Sequence, residues 1–277
     1  MKGIILAGGI GSRLYPLTAV VNKHLLPVYD KPLLYYPLSV LMLAGVRDIL
    51  VVCDEASYDQ YQRLFHCLTA GLTWKVTCQP VPHGIIDALQ QARAEIDDGR
   101  VIVALGDNFL YGSGLHGLLR RAVASEAPAQ VFLYRAKDIH QFGVAVLRDD
   151  KVTALYEKPG LYVSPWAVIG LYILDGLPRM LDASQVTIID LLHEYLRGPG
   201  LIAYKLGRGY YWLDAGTPAS LLCASQFVAT IQESQGLLVG CPEEVALHNE
   251  WITADQLSTT RTPETYRAYL GRLKEGL

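Results

Sequence analysis

The chain has 277 residues, 51% apolar and 18% charged, which suffices for a large core and lies far from the composition of a disordered segment. A net charge of −3 and a pI near 6.2 exclude a broad basic field for nucleic acid or an anionic membrane, so any phosphate site must be a local gathering of Arg and Lys. Glycines and Arg13 interrupt the apolar start too early for a signal peptide, and the uncharged residues 32–46 fall short of the ~20 needed to span a bilayer. Five scattered cysteines without CxxC spacing lead us to expect reduced thiols in the cytoplasm.

Residues 3–7 read as a short apolar strand that runs into Gly8-Gly9-Ile10-Gly11. Bare glycine lets backbone N–H groups approach a bound anion, and Arg13 adds a permanent charge that can fork onto phosphate. Neither familiar phosphate loop fits. Leu14 stands where the dinucleotide fingerprint needs a third glycine, and no Walker Lys-Ser/Thr pair occurs in the chain. Plain turn chemistry is the alternative reading, with Arg13 and Lys23 arguing against it.

Further along, the apolar pattern predicts a buried helix over 33–44, with Pro37 bending it or shifting its start. Strands follow at 48–53, 74–78 and 101–105, with helices at 58–68 and 85–94. This alternation predicts a mainly parallel, Rossmann-like sheet with helices on both faces. From residue 130 the rhythm changes to strands at 131–136, 143–147, 152–156 and 166–174, with Asp149-Asp150 turning one hairpin. Helices near 188–197 and 217–234 bracket a strand at 201–206, and short helices are expected at 242–248, 254–257 and 263–274. The chain therefore reads as an α/β domain over 1–240 containing a β-rich insertion at about 130–215, followed by a helical annex at 241–277.

Ligands of open α/β sheets bind beyond the carboxyl ends of the strands, where the glycine loop, Gln79–Gly84 and Asp107 all fall. Asp107 after its strand is either an Asx turn or a ligand for a hard cation bridging phosphate oxygens. Asp214 ends an aromatic strand before a helix that Thr217 can cap; alone it reads as structural, and beside Asp107 it completes a two-carboxylate site for Mg²⁺. Glu157-Lys158-Pro159 closes a hairpin strand and by itself reads as solvated surface. No HExxH or paired-histidine spacing supports zinc, and no GxSxG elbow supports a serine hydrolase.

LAGGxGxRL, NKHLLP, DKPLLYYPL, LMLAGVRDIL, LGDN-x-x-YG, EKP and GRGYYWLDAGT occur in that order. The ordered set resembles the glucose-1-phosphate thymidylyltransferases of the sugar nucleotidyltransferase superfamily, almost end to end. The resemblance implies the nucleotide-diphospho-sugar transferase fold and a Mg²⁺-dependent transfer of a nucleoside monophosphate from dTTP or UTP to a sugar 1-phosphate, releasing pyrophosphate. It implies that Leu6, Gly8, Gly11, Ser12 and Arg13 hold the nucleotide, that Lys23 neutralises the triphosphate, and that Gln79 and Gly84 read the base. It further implies Asp107 and Asp214 as metal ligands, and Gly143, Glu157, Lys158, Val168 and Tyr172 as the sugar-phosphate contacts. Arg13, Lys23, Asp107 and Lys158 then form the catalytic set. A cytoplasmic homotetramer with a second nucleotide-sugar site is part of the same implication, with no nucleic-acid or membrane partner.

The departures gather around the sugar. Ala183 stands where the resemblance places an arginine on the sugar phosphate, a loss of about 1.5–3 kcal/mol for such a contact. Val146 and Ile169 replace a glutamate and a threonine, while His24, His83 and Asp87 depart on the nucleotide side. A second reading follows, with the same chemistry on a modified sugar or cyclitol phosphate. A third is a non-catalytic nucleotide-binding relative, which the presence of Arg13, Lys23 and both acids disfavours.

Overall fold

A computed structural model describes residues 1–68, 70–81, 83–182, 184–257 and 264–275. Its first half runs β1 (Lys2–Ala7), β2 (Pro27–Val28), β3 (Lys31–Pro32), α1 (Tyr35–Leu43), β4 (Asp48–Asp54), α2 (Tyr58–Cys67), β5 (Thr73–Gln79), α3 (Ile85–Gln91) and β6 (Arg100–Leu105). It continues through β7 (Asn108–Gly112), α4 (Leu115–Ala124), β8 (Ala129–Arg135), β9 (Gly143–Arg148), β10 (Lys151–Glu157), β11 (Trp166–Asp175), α5 (Leu177–Met180) and α6 (Ile188–Arg197). The last elements are β12 (Leu201–Leu206), β13 (Tyr210–Asp214), α7 (Pro218–Gln235), α8 (Pro242–His248) and α9 (Glu264–Lys274).

The main sheet follows the order β10-β9-β11-β6-β1-β4-β5, with β8 beside β11 and β12 beside β8. Strands β6, β1, β4 and β5 are mutually parallel, whereas β11 turns antiparallel on β6 and carries the insertion strands β8 and β9. The parallel half is covered on both sides, so the middles of β1, β4 and β6 are continuously apolar and their side chains alternate between two cores, whereas β5 at the edge is more polar. Ile5 and Ala7 enter one core with α1, α4, α8 and α9; Ile4 and Leu6 enter the other with α3 and α6.

Local chemistry sets the element ends. Helix α1 begins at Tyr35, two residues later than the pattern suggests, which puts Pro37 in the first turn where no intrahelical N–H is required. The hairpin joining β9 to β10 turns through Asp149 and Asp150, both left-handed at φ 50 and 62, as a two-residue turn demands. Thr217 caps α7, accepting from the Ser220 amide at 3.1 Å. The helix expected at 254–257 is a single 3-10 turn, Ala254–Gln256, and the expected start of α9 at Pro263 lies outside the described residues. Five elements went unread in the sequence: the short β2, β3 and α5, and the longer α4 and β7.

Lys31 ties the start of α1 to the C-terminal part of the chain. Its buried ammonium meets Asp30 at 2.5 Å, the Gln232 side chain at 3.2 Å and the Val239 carbonyl at 3.0 Å. Removing one partner of a buried pair strands the other charge, so Lys31→Ala is expected to cost about 3 kcal/mol. Thermal denaturation should show Tm falling by about 6–12 °C; an unchanged Tm would mean that the network does not anchor these segments.

Candidate active site

Strand β1 delivers the glycine loop at its carboxyl end. Gly11 is left-handed, with φ 63 and ψ 36, and opens a 3-10 turn over Ser12–Leu14. Leu14 is fully buried and pins that turn, which leaves Ser12 and Arg13 exposed above it. Gly8 and Gly9 leave room for two side chains: a Cβ would lie 2.8 Å from Gln79 Oε1 at the first and 3.0 Å from Lys23 Cε at the second. Gln79 and Lys23, distant in sequence, are thereby pressed against the loop.

Asn22 caps the turn that carries Lys23. The Asn22 amide donates to the Ala7 carbonyl at 3.0 Å and to Asp54 Oδ2 at 2.5 Å, at the ends of β1 and β4. Its carbonyl accepts from the His24 amide at 2.9 Å, the His24 ring at 2.8 Å and the Tyr61 hydroxyl at 3.0 Å. Burial, reinforced by the neighbouring Lys23 ammonium, pushes His24 down to about 3, so this ring is neutral and serves as a hydrogen-bond donor. Lys23 Nζ meets Asp107 Oδ2 at 2.5 Å.

The two acids are joined by a ladder the sequence did not disclose. Strands β7 and β13 pair antiparallel, setting Asp214 opposite Asn108, and the Ala215 amide donates to the Asp107 carbonyl at 2.9 Å. Arg13 Nη2 reaches Asp214 Oδ2 at 3.5 Å from the glycine loop. Burial pushes the Asp107 carboxyl up, but the Lys23 ammonium and the hydrogen bonds from Lys23 and Asn108 outweigh it and hold the group below the usual carboxylate range. Asp214 goes the other way, raised by burial and then by the negative charge of Asp107, against the opposing pull of Arg13 and Lys23. Asp214 Oδ1 is buried and has no hydrogen-bond partner.

Two hard carboxylates that repel one another, one with an orphaned oxygen, suit a divalent cation. Among the described residues no third His, Cys, Asp or Glu joins them. This matches Mg²⁺, which takes one or two carboxylates and fills its octahedron with water and phosphate oxygens.

At the end of β5, Gln79 is fully buried and its amide donates to the Asp87 carboxylate at 2.5 Å and to the Gly84 carbonyl at 3.3 Å. Its carbonyl oxygen remains unpartnered. Gly84, at φ 106, begins α3 with open space beside it. Leu6 is buried in β1, and its carbonyl accepts from the Gly106 amide at 2.9 Å, holding the Asp107 turn to the glycine-loop strand.

On the insertion, Gly143 and Glu157 face each other across β9 and β10. Lys158 is left-handed, at φ 42, and its exposed ammonium lies 3.5 Å from Glu157. Val168 and Tyr172 flank a register shift of β11 against β8, with side chains 6% and 2% exposed inside the α3–α6 core. Burial and then the charges of Glu157 and Asp107 push the Tyr172 phenol up. Ile169 points into the opposite core, away from Val168 and Tyr172, so its replacement of a threonine does not alter that side. Val146 lies mid-strand on β9, and Ala183 is outside the described residues. A separate cavity of about 510 Å³ lies between α1, β7, α4 and α8, and none of the candidate residues lines it.

Sequence reasoning missed Asn22, Asp54 and Asn108 as supports of the charged groups. The signal for β7 was its Phe-Leu-Tyr composition at 109–111, hidden because only Gly106 and Asp107 separate it from β6.

Residues 2–231 match the nucleotidyl transferase family. The chain belongs to that family. It is 44% identical over 268 residues to the glucose-1-phosphate thymidylyltransferase of Neisseria gonorrhoeae, covering 94% of this chain and 93% of the relative. It is 45% identical over 287 residues to that of Xanthomonas campestris pv. campestris, covering 98% and 96%. A solved Bacillus anthracis structure, described as a glucose-1-phosphate thymidylyltransferase in complex with sucrose, superposes with a TM-score of 0.75 at 31% identity over 82% of this chain and 94% of that one. UDP-glucose pyrophosphorylase with UDP-glucose, at 20% identity and a TM-score of 0.71, shares the fold over 83% of this chain and 98% of its own. Family membership and the acid-pair geometry thus rest on separate observations.

The acid pair of this nucleotidyl transferase makes a stability prediction. Because the folded state raises Asp214, its ionised form destabilises the metal-free protein above the unfolded carboxylate range, and protonation relieves this as pH falls. Asp214→Asn should therefore raise the metal-free Tm near neutrality by about 2–4 °C, the gain shrinking toward acid. Scanning fluorimetry across pH reads this directly, and a lower Tm at neutral pH would refute the repulsion.

Proposed function

We propose that this chain is a glucose-1-phosphate thymidylyltransferase, transferring a nucleoside monophosphate from dTTP or UTP to glucose 1-phosphate and releasing pyrophosphate. The observation that carries the reading is the convergence of glycine loop, Lys23, Arg13 and the Asp107–Asp214 pair. Relatives of the same name over nearly the whole chain favour glucose 1-phosphate over a modified sugar or cyclitol phosphate, and the buried course of Ile169 removes one argument for the latter.

In this reading an oxygen of the acceptor phosphate attacks the α-phosphorus in line, forming the new P–O bond as the bond to pyrophosphate breaks. Backbone amides at Gly8, Gly11 and Ser12, with Arg13 and Lys23, hold the triphosphate and offset charge on the leaving group. Lys158 and Glu157 orient the acceptor, alongside Gly143 and the β11 segment from Val168 to Tyr172. The free carbonyl of Gln79 accepts the imide N–H of thymine or uracil, a donor that cytosine lacks at that position. Asp107 and Asp214 would hold Mg²⁺, which would supply charge neutralisation for the reacting phosphates. We assign this chemistry to residues 1–240 of a cytoplasmic homotetramer, with 241–277 as a supporting annex.

Pyrophosphate release with Mg²⁺, glucose 1-phosphate and each of dTTP, UTP, CTP, GTP and ATP tests the proposal. Turnover should be fastest with dTTP or UTP, and Asp107→Asn or Lys23→Ala should lower kcat about 100- to 1000-fold. Failure of every nucleotide, or preference for an amino-, deoxy- or cyclitol phosphate over glucose 1-phosphate, would overturn it.

A further inference from the structure

Asn108 has no role in the chemistry described so far, yet its side chain reaches three separate elements. It is 9% exposed. Its Oδ1 accepts from the Gly170 amide of β11 at 3.0 Å and from Trp212 Nε1 of β13 at 2.7 Å, while Nδ2 donates to Asp107 Oδ1 at 3.1 Å. A backbone amide and an indole N–H are donors only, so the atom facing them must be the oxygen, and the nitrogen is thereby aimed at Asp107. Gly170 lies inside the register shift that separates Val168 from Tyr172. A Cβ there would come within 2.7 Å of Asn108 Nδ2 and 2.6 Å of Leu105. The contact is thus built from both sides, by an asparagine on β7 and a residue without a side chain on β11.

We infer that Asn108 is a positioning residue, fixing the Asp107 carboxylate to the irregular turn of β11 that presents Val168 and Tyr172. Asp107 has one oxygen on Lys23 and the other on Asn108. When Lys23 turns to a bound polyphosphate, Asn108 is the group that still sets the rotation of the carboxylate. Through Gly170 the same amide registers the acceptor strand against the acid pair, so the two substrates' supports share one hydrogen-bonded unit. The inference rests on the transferase reading.

Asn108→Asp isolates the contact that matters. An aspartate keeps both accepted bonds, from Gly170 and Trp212, but faces Asp107 with oxygen against oxygen. In the full-length enzyme at mildly alkaline pH, kcat should fall about 10- to 100-fold with the KM for dTTP little changed. Gly170→Ala, which pushes the amide from the far side, should also lower kcat and raise the KM for glucose 1-phosphate. Phe109→Leu, which weakens β7 from its other face, should lower Tm and leave kcat within about twofold. Wild-type turnover by Asn108→Asp would overturn the inference alone, as would activity losses that merely track Tm in all three variants. A wild-type enzyme inert with every nucleotide would overturn the transferase reading and this inference together.

Discussion

Two half-buried carboxylates of like charge, near enough that the charge on Asp107 raises Asp214, are the constraint on which the rest of the site turns. Asp107 stays ionised because Lys23 and Asn108 hold it; Asp214 is pushed upward by its burial and by the charge already on Asp107. Such a pair is costly in a folded protein unless something positive completes it. Arg13 approaches from the glycine loop and Lys23 from the turn after it, which places the cations where a polyanion and its metal would also lie.

The fold makes this pairing possible by turning one sheet into two halves. The parallel half brings the ends of β1, β4, β5 and β6 to one edge, and with them the glycine loop, Asp54, Gln79 and Asp107. Strand β11 then runs antiparallel beside β6, with Tyr172 opposite Val103, and carries the insertion past the same edge. The small ladder of β7 and β13 folds Asp214 back over that edge, and Asn22 and Asn108 lock each half with buried amides whose oxygens and nitrogens both find partners. Satisfied polar networks of this kind fix a geometry that apolar packing alone would leave adjustable.

The parallel half was legible in the sequence because strands buried on both faces are apolar at every position, as with residues 3–7 and 101–105. The glycine loop, Lys23 and both acids were legible as residue types that phosphate and Mg²⁺ chemistry need. What the chain order could not convey was adjacency: Asp107 and Asp214 meet only through the pairing of β7 with β13, and β7 hides behind a two-residue turn. The supports were equally hidden, since Asn22 and Asn108 are short polar residues whose partners lie on other strands. Ile169 shows the opposite failure, a departure from the family pattern that suggested a changed acceptor pocket, although its side chain lies in the other core.

The most direct measurement of the central claim is a crystal structure of the protein with manganese in place of magnesium and a non-hydrolysable thymidine triphosphate analogue. The account requires anomalous density between the Asp107 and Asp214 carboxylates, with the triphosphate lying in the glycine loop against Arg13 and Lys23. Manganese bound without either carboxylate, or a triphosphate seated elsewhere, would contradict it.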